Sequence, residues 1–307
     1  MSTSLPPSWQ NAQLVYTIPG DLNFPAWVRS IAISPDGETI AGSIGATVAI
    51  WNLPNRELIR SLKGHTGEIW SIAISPDGKT LASGGLDSKI NIWNLNTGQI
   101  TQAINTRCGG IFAIAFTPSG KKIASIGHQH RIKLWQLQNK EMVRSFDGHS
   151  RWATCLAISP DGKTLVSGSK DETIKIWKIN TSMAIQTFIG HSSVVTSVAI
   201  SPNSQILASS SVDRTIKIWD LSTGELRDSL EGHLDNIPEV KISPNGRILA
   251  SCSWDKTIKI WNLQTGELLG TLEGHNDYIS SIAFSPNGQL LASSSKDNSV
   301  KIWQIPY

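Results

Sequence analysis

Histidine, serine and aspartate recur together in five copies along this chain. They are His65, Ser83 and Asp87; His149, Ser167 and Asp171; His191, Ser209 and Asp213; His233, Ser251 and Asp255; and His275, Ser293 and Asp297. These are the side chains of a hydrolytic triad, in which a histidine takes the proton of a serine nucleophile and a carboxylate orients the histidine. An enzyme needs one activated nucleophile beside an oxyanion hole, not five equal copies. Each histidine follows a glycine and precedes a tryptophan by 28 residues: Trp93, Trp177, Trp219, Trp261 and Trp303. The set therefore belongs to a repeated structural unit, and we assign no catalytic residue.

The remaining reactive side chains give little. His128 and His130 flank Gln129. Two histidines at i and i+2 share a strand face and could ligate a metal, but no third ligand is near and the position is a turn. No metal site is assigned. Three cysteines make an odd count without metal-ligand spacing, which argues against a disulfide framework and for a reducing compartment. Cys155 and Cys252 fall in strand-like segments and read as small buried hydrophobes. Cys108 lies in a loop beside Arg107, the one place where a reactive thiolate is conceivable. There is no Gly-rich phosphate loop, HExxH, paired-cysteine motif or calcium loop, so no cofactor is expected.

The elements that hold these residues follow from the spacing. Trp51, Trp93, Trp135, Trp177, Trp219, Trp261 and Trp303 are each 42 residues apart. Pro35, Pro76, Pro118, Pro160, Pro202, Pro244 and Pro286 keep the same step except for the first, which is 41. The first repeat is thus one residue short between Pro35 and Trp51. In the fifth repeat Val194 to Ile200 is β-branched and strand-like, and Pro202-Asn203-Ser204 breaks it where most sister repeats have Pro-Asp-Gly or Pro-Asn-Gly. Ile206 to Ser210, Thr215 to Asp220 and Leu226 to Leu230 follow as three more strands. Helical periodicity is absent. Four short antiparallel strands every 42 residues describe an all-β propeller of seven blades.

Composition is compatible. The chain has 307 residues, 39% of them apolar, and a net charge of +3 from 27 basic and 24 acidic residues. A core can form, and nucleic acid is a poor expectation without a concentrated basic stripe. No apolar run reaches the roughly 18–20 residues of a membrane span. Met1 to Gln10 has neither a cationic start nor an apolar stretch, so a secretory leader is not expected and the cytoplasm is.

The Gly-His pair, the Ser, the Asp and the Trp of each unit together resemble the WD40-repeat β-propeller family, over nearly the whole chain. The wording of the repeats is similar to that of bacterial, especially cyanobacterial, stand-alone members. The resemblance implies that each His hydrogen-bonds its Asp and that Ser and Trp complete a buried structural network. Two repeats depart from it. The third has Arg107 and Gln129 for His and Asp while keeping Ser125 and Trp135, and the first has no Gly-His pair and Gly45 for Asp. Their blades should be locally weaker.

Leu14 to Tyr307 is 294 residues, seven times 42, yet the last repeat ends after its third strand. Leu14 to Ile18 aligns with Leu226 to Leu230. The N-terminal strand should therefore complete the last blade and cover its edge. The expected organisation is a tail over residues 1–13, with Trp9 in it, and one propeller domain over 14–307.

The resemblance also implies three positions per blade at the upper mouth of the central channel, where partners of family members often dock. They collect Trp27 and Arg29, Trp70 with Glu68, Phe112 with His128, Trp152 and Lys170, Trp254, and Tyr278 with Lys296. The rings either plug the channel top or form a patch, and four tryptophans together favour the patch. The expected function is a non-enzymatic scaffold, monomeric alone, that binds a protein or peptide at this mouth. The rivals are a small-ligand or metal-binding propeller, an enzyme, and a single-strand nucleic-acid binder stacking bases on the rings.

Overall fold

A computed structural model describes residues 13–19 and 27–305. Among these, 28 strands form seven antiparallel four-stranded sheets arranged as blades. Blade five shows how the sequence makes one. Its inner strand is Val195–Ile200, followed by Ile206–Ser211, Ile216–Asp220 and the outer Leu226–Leu230. The second strand is buried along its whole length, and the outer strand exposes all but Leu230. A strict alternation of inward apolar and outward polar residues is not observed in the third strand: Trp219 is as buried as Ile218 on the opposite face. The reason is that neighbouring blades cover both faces of each sheet. Trp219 packs into blade four, against Val166, Ile174 and Phe188. The core is thus a set of wedges between blades rather than one central mass.

Close approach of blades demands small residues on the second strands. A Cβ on Gly168 would stand 2.4 Å from Val195 Cγ1 of the next blade, so no side chain fits there. The proline turns close with a residue at positive φ, such as Gly162 at 70°. In blade five Ser204 takes that conformation at 58°, at a cost that glycine avoids.

Blade seven takes Ile279–Phe284, Leu290–Ser295 and Ser299–Gln304 from the C-terminal end and Gln13–Pro19 from the N-terminal end. Leu14 faces Trp303, Tyr16 faces Ile302 and Ile18 faces Val300, with a bulge after Leu14. In blade five Leu226 faces Trp219, Asp228 faces Ile218 and Leu230 faces Ile216, with the same bulge. The N-terminal strand therefore replaces an outer strand residue for residue. Lys301 Nζ donates to Thr17 Oγ1 at 3.0 Å, as Lys217 donates to Ser229 in blade five. Tyr16 OH donates to Leu53 O of blade one at 2.7 Å, and Ile18 is buried between the two blades. Residues 1–12, including Trp9, lie outside the described residues.

Candidate interaction surface

The repeated Ser, His, Asp and Trp form one directed chain of hydrogen bonds per complete blade. In blade five Trp219 Nε1–H donates to Ser209 Oγ at 2.9 Å. Ser209 Oγ and His191 Nε2 are 2.8 Å apart, and His191 Nδ1 and Asp213 Oδ2 are 2.8 Å apart. Since Ser209 Oγ already accepts from the indole, its own proton is free to go to Nε2. His191 then carries its proton on Nδ1 and donates it to Asp213. Asp213 also accepts from the backbone N–H of Ser192 and from Thr215 N and Oγ1. Partial burial pushes its carboxyl pKa up, but the bonds from His191 and Thr215 outweigh this and hold it well below the usual carboxylate range. Asp255 and Asp297 are depressed in the same way by His233 and His275, and Asp171 falls to about 2. Burial lowers the His149 pKa against the pull of Asp171. The serine hydroxyls are fully buried beneath their histidines, so a substrate has no approach to Ser83, Ser167, Ser209, Ser251 or Ser293.

Blades one and three lack this chain for different reasons. In blade one Ile40 pairs with Trp51, which aligns Gly42 with Ser83 of blade two. The missing residue lies in the turn between Thr39–Ile44 and Thr47–Asn52, so that Gly45 and Ala46 alone make the connection. His, Ser and Asp are all absent there, and the Trp51 ring closes over Gly42, where a Cβ would stand 2.9 Å from it. In blade three Trp135 Nε1 still donates to Ser125 Oγ at 2.8 Å, and there the chain stops. Arg107 is exposed at a φ of 51°, and Cys108 turns inward instead. Cys108 takes the histidine's place: a Cβ on Gly127 would meet Cys108 Cβ at 3.0 Å, whereas one on the equivalent Gly85 would meet His65 Nδ1 at 2.9 Å. The Cys108 thiol donates to Thr106 O and is shut off from solvent. Burial pushes the Cys155 thiol up to about 12 and that of Cys252 well above its usual value, so both are inert.

The mouth residues fall into two groups. An arc runs over blades one to four. Trp70 and Phe112 lie 5.1 Å apart, Phe112 and Trp152 5.9 Å, and His128 fills the corner at 4.6 Å from Phe112 and 4.9 Å from Trp152. Arg29 joins Trp27 to the arc, with its guanidinium 4.2 Å from the Trp27 ring and 4.3 Å from the Trp70 ring. Glu68 fixes that sandwich: Oε1 accepts from Arg29 Nε at 3.0 Å and Oε2 from Trp70 Nε1 at 3.1 Å. Across the mouth Trp254 stacks on Tyr278 at 5.1 Å and 15°, away from the arc. All these rings are half-buried. Sequence position placed Glu68 and His128 at the mouth but gave neither a role, because each role includes a contact with a neighbouring blade, Arg29 for Glu68 and Trp152 for His128. His130 is exposed, and among the described residues no three His, Cys, Asp or Glu side chains group as metal ligands.

Below the rings lies a polar channel of about 200 Å³, lined by Ser30, Ser71, Thr196, Glu239 and Lys241 among others. Its wall also differs between blades. At one position of the inner strand, Thr154, Thr196 and Ser280 each donate a hydroxyl to a carbonyl of the next blade: Val195, Ile237 and Val28. The same position holds Arg29, Trp70 and Phe112 in blades one to three. Blades four, five and seven use the position to clasp a neighbour, and blades one to three use it to present large side chains.

The family model for the WD domain, G-beta repeat, matches residues 12–52, 56–94, 140–178, 183–220, 224–262 and 266–304. The stretch it passes over, 95–139, contains blade three up to its third strand, where the network is broken. No curated relative matches the chain. No helix of the described residues is long and apolar enough to cross a membrane. Propellers of this kind are generally protein-interaction scaffolds and typically non-catalytic. With seven such blades in a closed ring and six matched repeats, the chain belongs to the WD40-repeat family.

Proposed function

We propose that this protein is a non-catalytic scaffold whose upper mouth grips an extended segment of a protein partner. The observation that carries the reading is the arc of half-buried rings, Trp70, Phe112 and Trp152, pinned on one face by Arg29 and Glu68. Aromatic side chains lose little entropy on binding and supply large contact areas, which is why they dominate interface hot spots. Here they are ordered before any partner arrives, so less freedom is lost on association. The rings stand above a channel that is polar and narrow, a floor better suited to bridging waters than to an apolar ligand.

The test separates anchoring from packing. Trp70→Ala and Trp152→Ala are compared with wild type for melting temperature and for partner capture from lysate. A true anchor weakens capture by about 2 kcal/mol or more with little change in melting. If melting collapses by several kcal/mol and the remaining folded protein captures the same partners, the rings are packing residues and the surface lies elsewhere.

A further inference from the structure

Two mouth rings carry a lysine at the same register of different blades. In blade four the Lys170 ammonium lies 4.4 Å from the Trp152 ring centroid, and in blade seven that of Lys296 lies 5.1 Å from the Tyr278 centroid. The lysine follows the ring by 18 residues in both. A backbone bond fixes each pair, from Lys170 N to Trp152 O at 2.8 Å and from Lys296 N to Tyr278 O at 2.9 Å. The same backbone bond joins Leu86 to Glu68, Val212 to Val194 and Trp254 to Asn236, pairs with no cation over a ring. The register is general; among the described residues a cation on an aromatic face in that register occurs in blades four and seven alone.

Among the described residues the charge of these stations is unspent. Asp171 and Asp297, next in sequence, turn inward to His149 and His275 at 2.9 and 2.7 Å. Asp277 folds back on the backbone N–H of Tyr278. Among the described residues neither lysine has a carboxylate within ion-pair distance, whereas Arg29, the third mouth cation, is paired with Glu68 at 3.0 Å. Both ammonium groups are exposed, and the rings beneath restrict where their flexible stems can place them. On a ring of seven, blades four and seven stand nearly opposite, with the mouth between them.

We propose that these two stations read an acidic segment of the partner. The segment carries two separated carboxylates that bracket an apolar centre, one at Lys170 and one at Lys296, with the centre lying across the mouth. The inference rests on the mouth reading above and adds the partner's charge pattern. A phosphate backbone would call for a continuous basic stripe rather than two isolated points.

A displayed library of random twelve-residue peptides, selected against the intact chain, tests this. Selected peptides are expected to carry two separated Asp or Glu residues around an apolar centre. Replacing those acids by Asn or Gln, or the protein's lysines in Lys170→Ala/Lys296→Ala, should weaken binding at least tenfold with melting unchanged. Lys170→Arg/Lys296→Arg should keep most of the affinity, and added salt should reduce it. Selection of neutral or basic peptides, no enrichment, tighter capture of an oligothymidine strand, or equal binding by the Ala variant overturns the proposal. A Trp70→Ala/Phe112→Ala protein separates the two failures. Peptides that need the rings but not the lysines overturn only the acidic pattern, and peptides indifferent to both overturn the mouth reading as well.

Discussion

In blade five a hydrogen-bond chain runs from Trp219 through Ser209 and His191 to Asp213, while in blade three it ends at Trp135 and Ser125. The sheets nevertheless pair alike: Leu207 faces Trp219, and Ile123 faces Trp135. Apolar packing between blades is therefore enough to set the strands and their register. What the network adds is a tether. It ties the loop entering a blade to the turn between that blade's second and third strands, and in blades four, six and seven those two loops carry Trp152, Lys170, Trp254, Tyr278 and Lys296. Where the tether is missing, blade three fills the same space with Cys108 and leaves Gln129 Nε2 holding only Arg107 O.

The largest effect comes from removing a strand rather than a tether. Deleting residues 1–18 strips the outer strand from blade seven, bares the Ser299–Gln304 edge and unburies the face covered by Ile18. Loss of its ladder bonds and apolar contact is expected to cost about 5 kcal/mol or more, or to cause aggregation through the bare edge. Deleting residues 1–10 spares the strand, and its melting curve should overlay wild type. If the longer deletion melts normally, the network of blade seven holds the ring closed without its fourth strand, and the ranking of packing above tether is wrong.

Next come the tethers themselves. Asp213→Ala leaves the buried His191 donor without its acceptor and should cost roughly 1–3 kcal/mol. Gln129→Ala in blade three should cost under about 0.5 kcal/mol, as a surface change. Denaturant midpoints on the two variants read the difference directly, and equal losses would mean that blade three carries a tether of its own.

Acid gives a third comparison. The Asp171 pKa is depressed from an ordinary value of 3.8 to about 2, with burial opposing and bonds from Thr173 and His149 prevailing. A carboxyl depressed by folding stabilises the native state above its unfolded pKa, and that contribution is lost as pH falls through the folded one. Stability should therefore decline between about pH 4 and pH 2, and Asp171→Asn should flatten the decline. Gln129→Ala should leave it unchanged, since blade three has no such carboxylate.

Much of this was legible before any coordinates. The tryptophan and proline steps define seven blades, and the match of Leu14 to Ile18 with Leu226 to Leu230 defines the closing register. What escaped was conformation at constant length. The loop of blade three has as many residues as its sisters, so nothing in the spacing reveals that Arg107 takes a left-handed φ and rotates Cys108 inward. The one-residue deletion in blade one was visible, but its place in the turn, and hence the alignment of Gly42 with Ser83, required the strand pairing. The clasps of Thr154, Thr196 and Ser280 reach carbonyls one blade away and have no local signal. They decide which blades can present a large side chain from that one position of the inner strand.

The smallest expected effect is also the most searching. Arg107→His with Gln129→Asp restores the residue types of a complete blade at matching positions. If residue type alone made the tether, the double variant would gain stability on the scale that Asp213→Ala loses. The geometry argues otherwise. Residue 107 points to solvent because its φ is 51°, and the space an imidazole would enter is filled by Cys108 against Gly127. A histidine there stays outside, and an aspartate at 129 finds no ring to accept from. The double variant should lie within about 0.5 kcal/mol of wild type. Adding Cys108→Ser, the residue that follows the histidine in blades four and five, removes the buried thiol that fills the space beside Gly127 and restores the loop residues of a complete blade. Only the triple variant should then move upward in denaturant midpoint. A gain already present in the double variant would show that the loop rotates freely and that the identity of residue 107, not the burial of Cys108, sets its conformation.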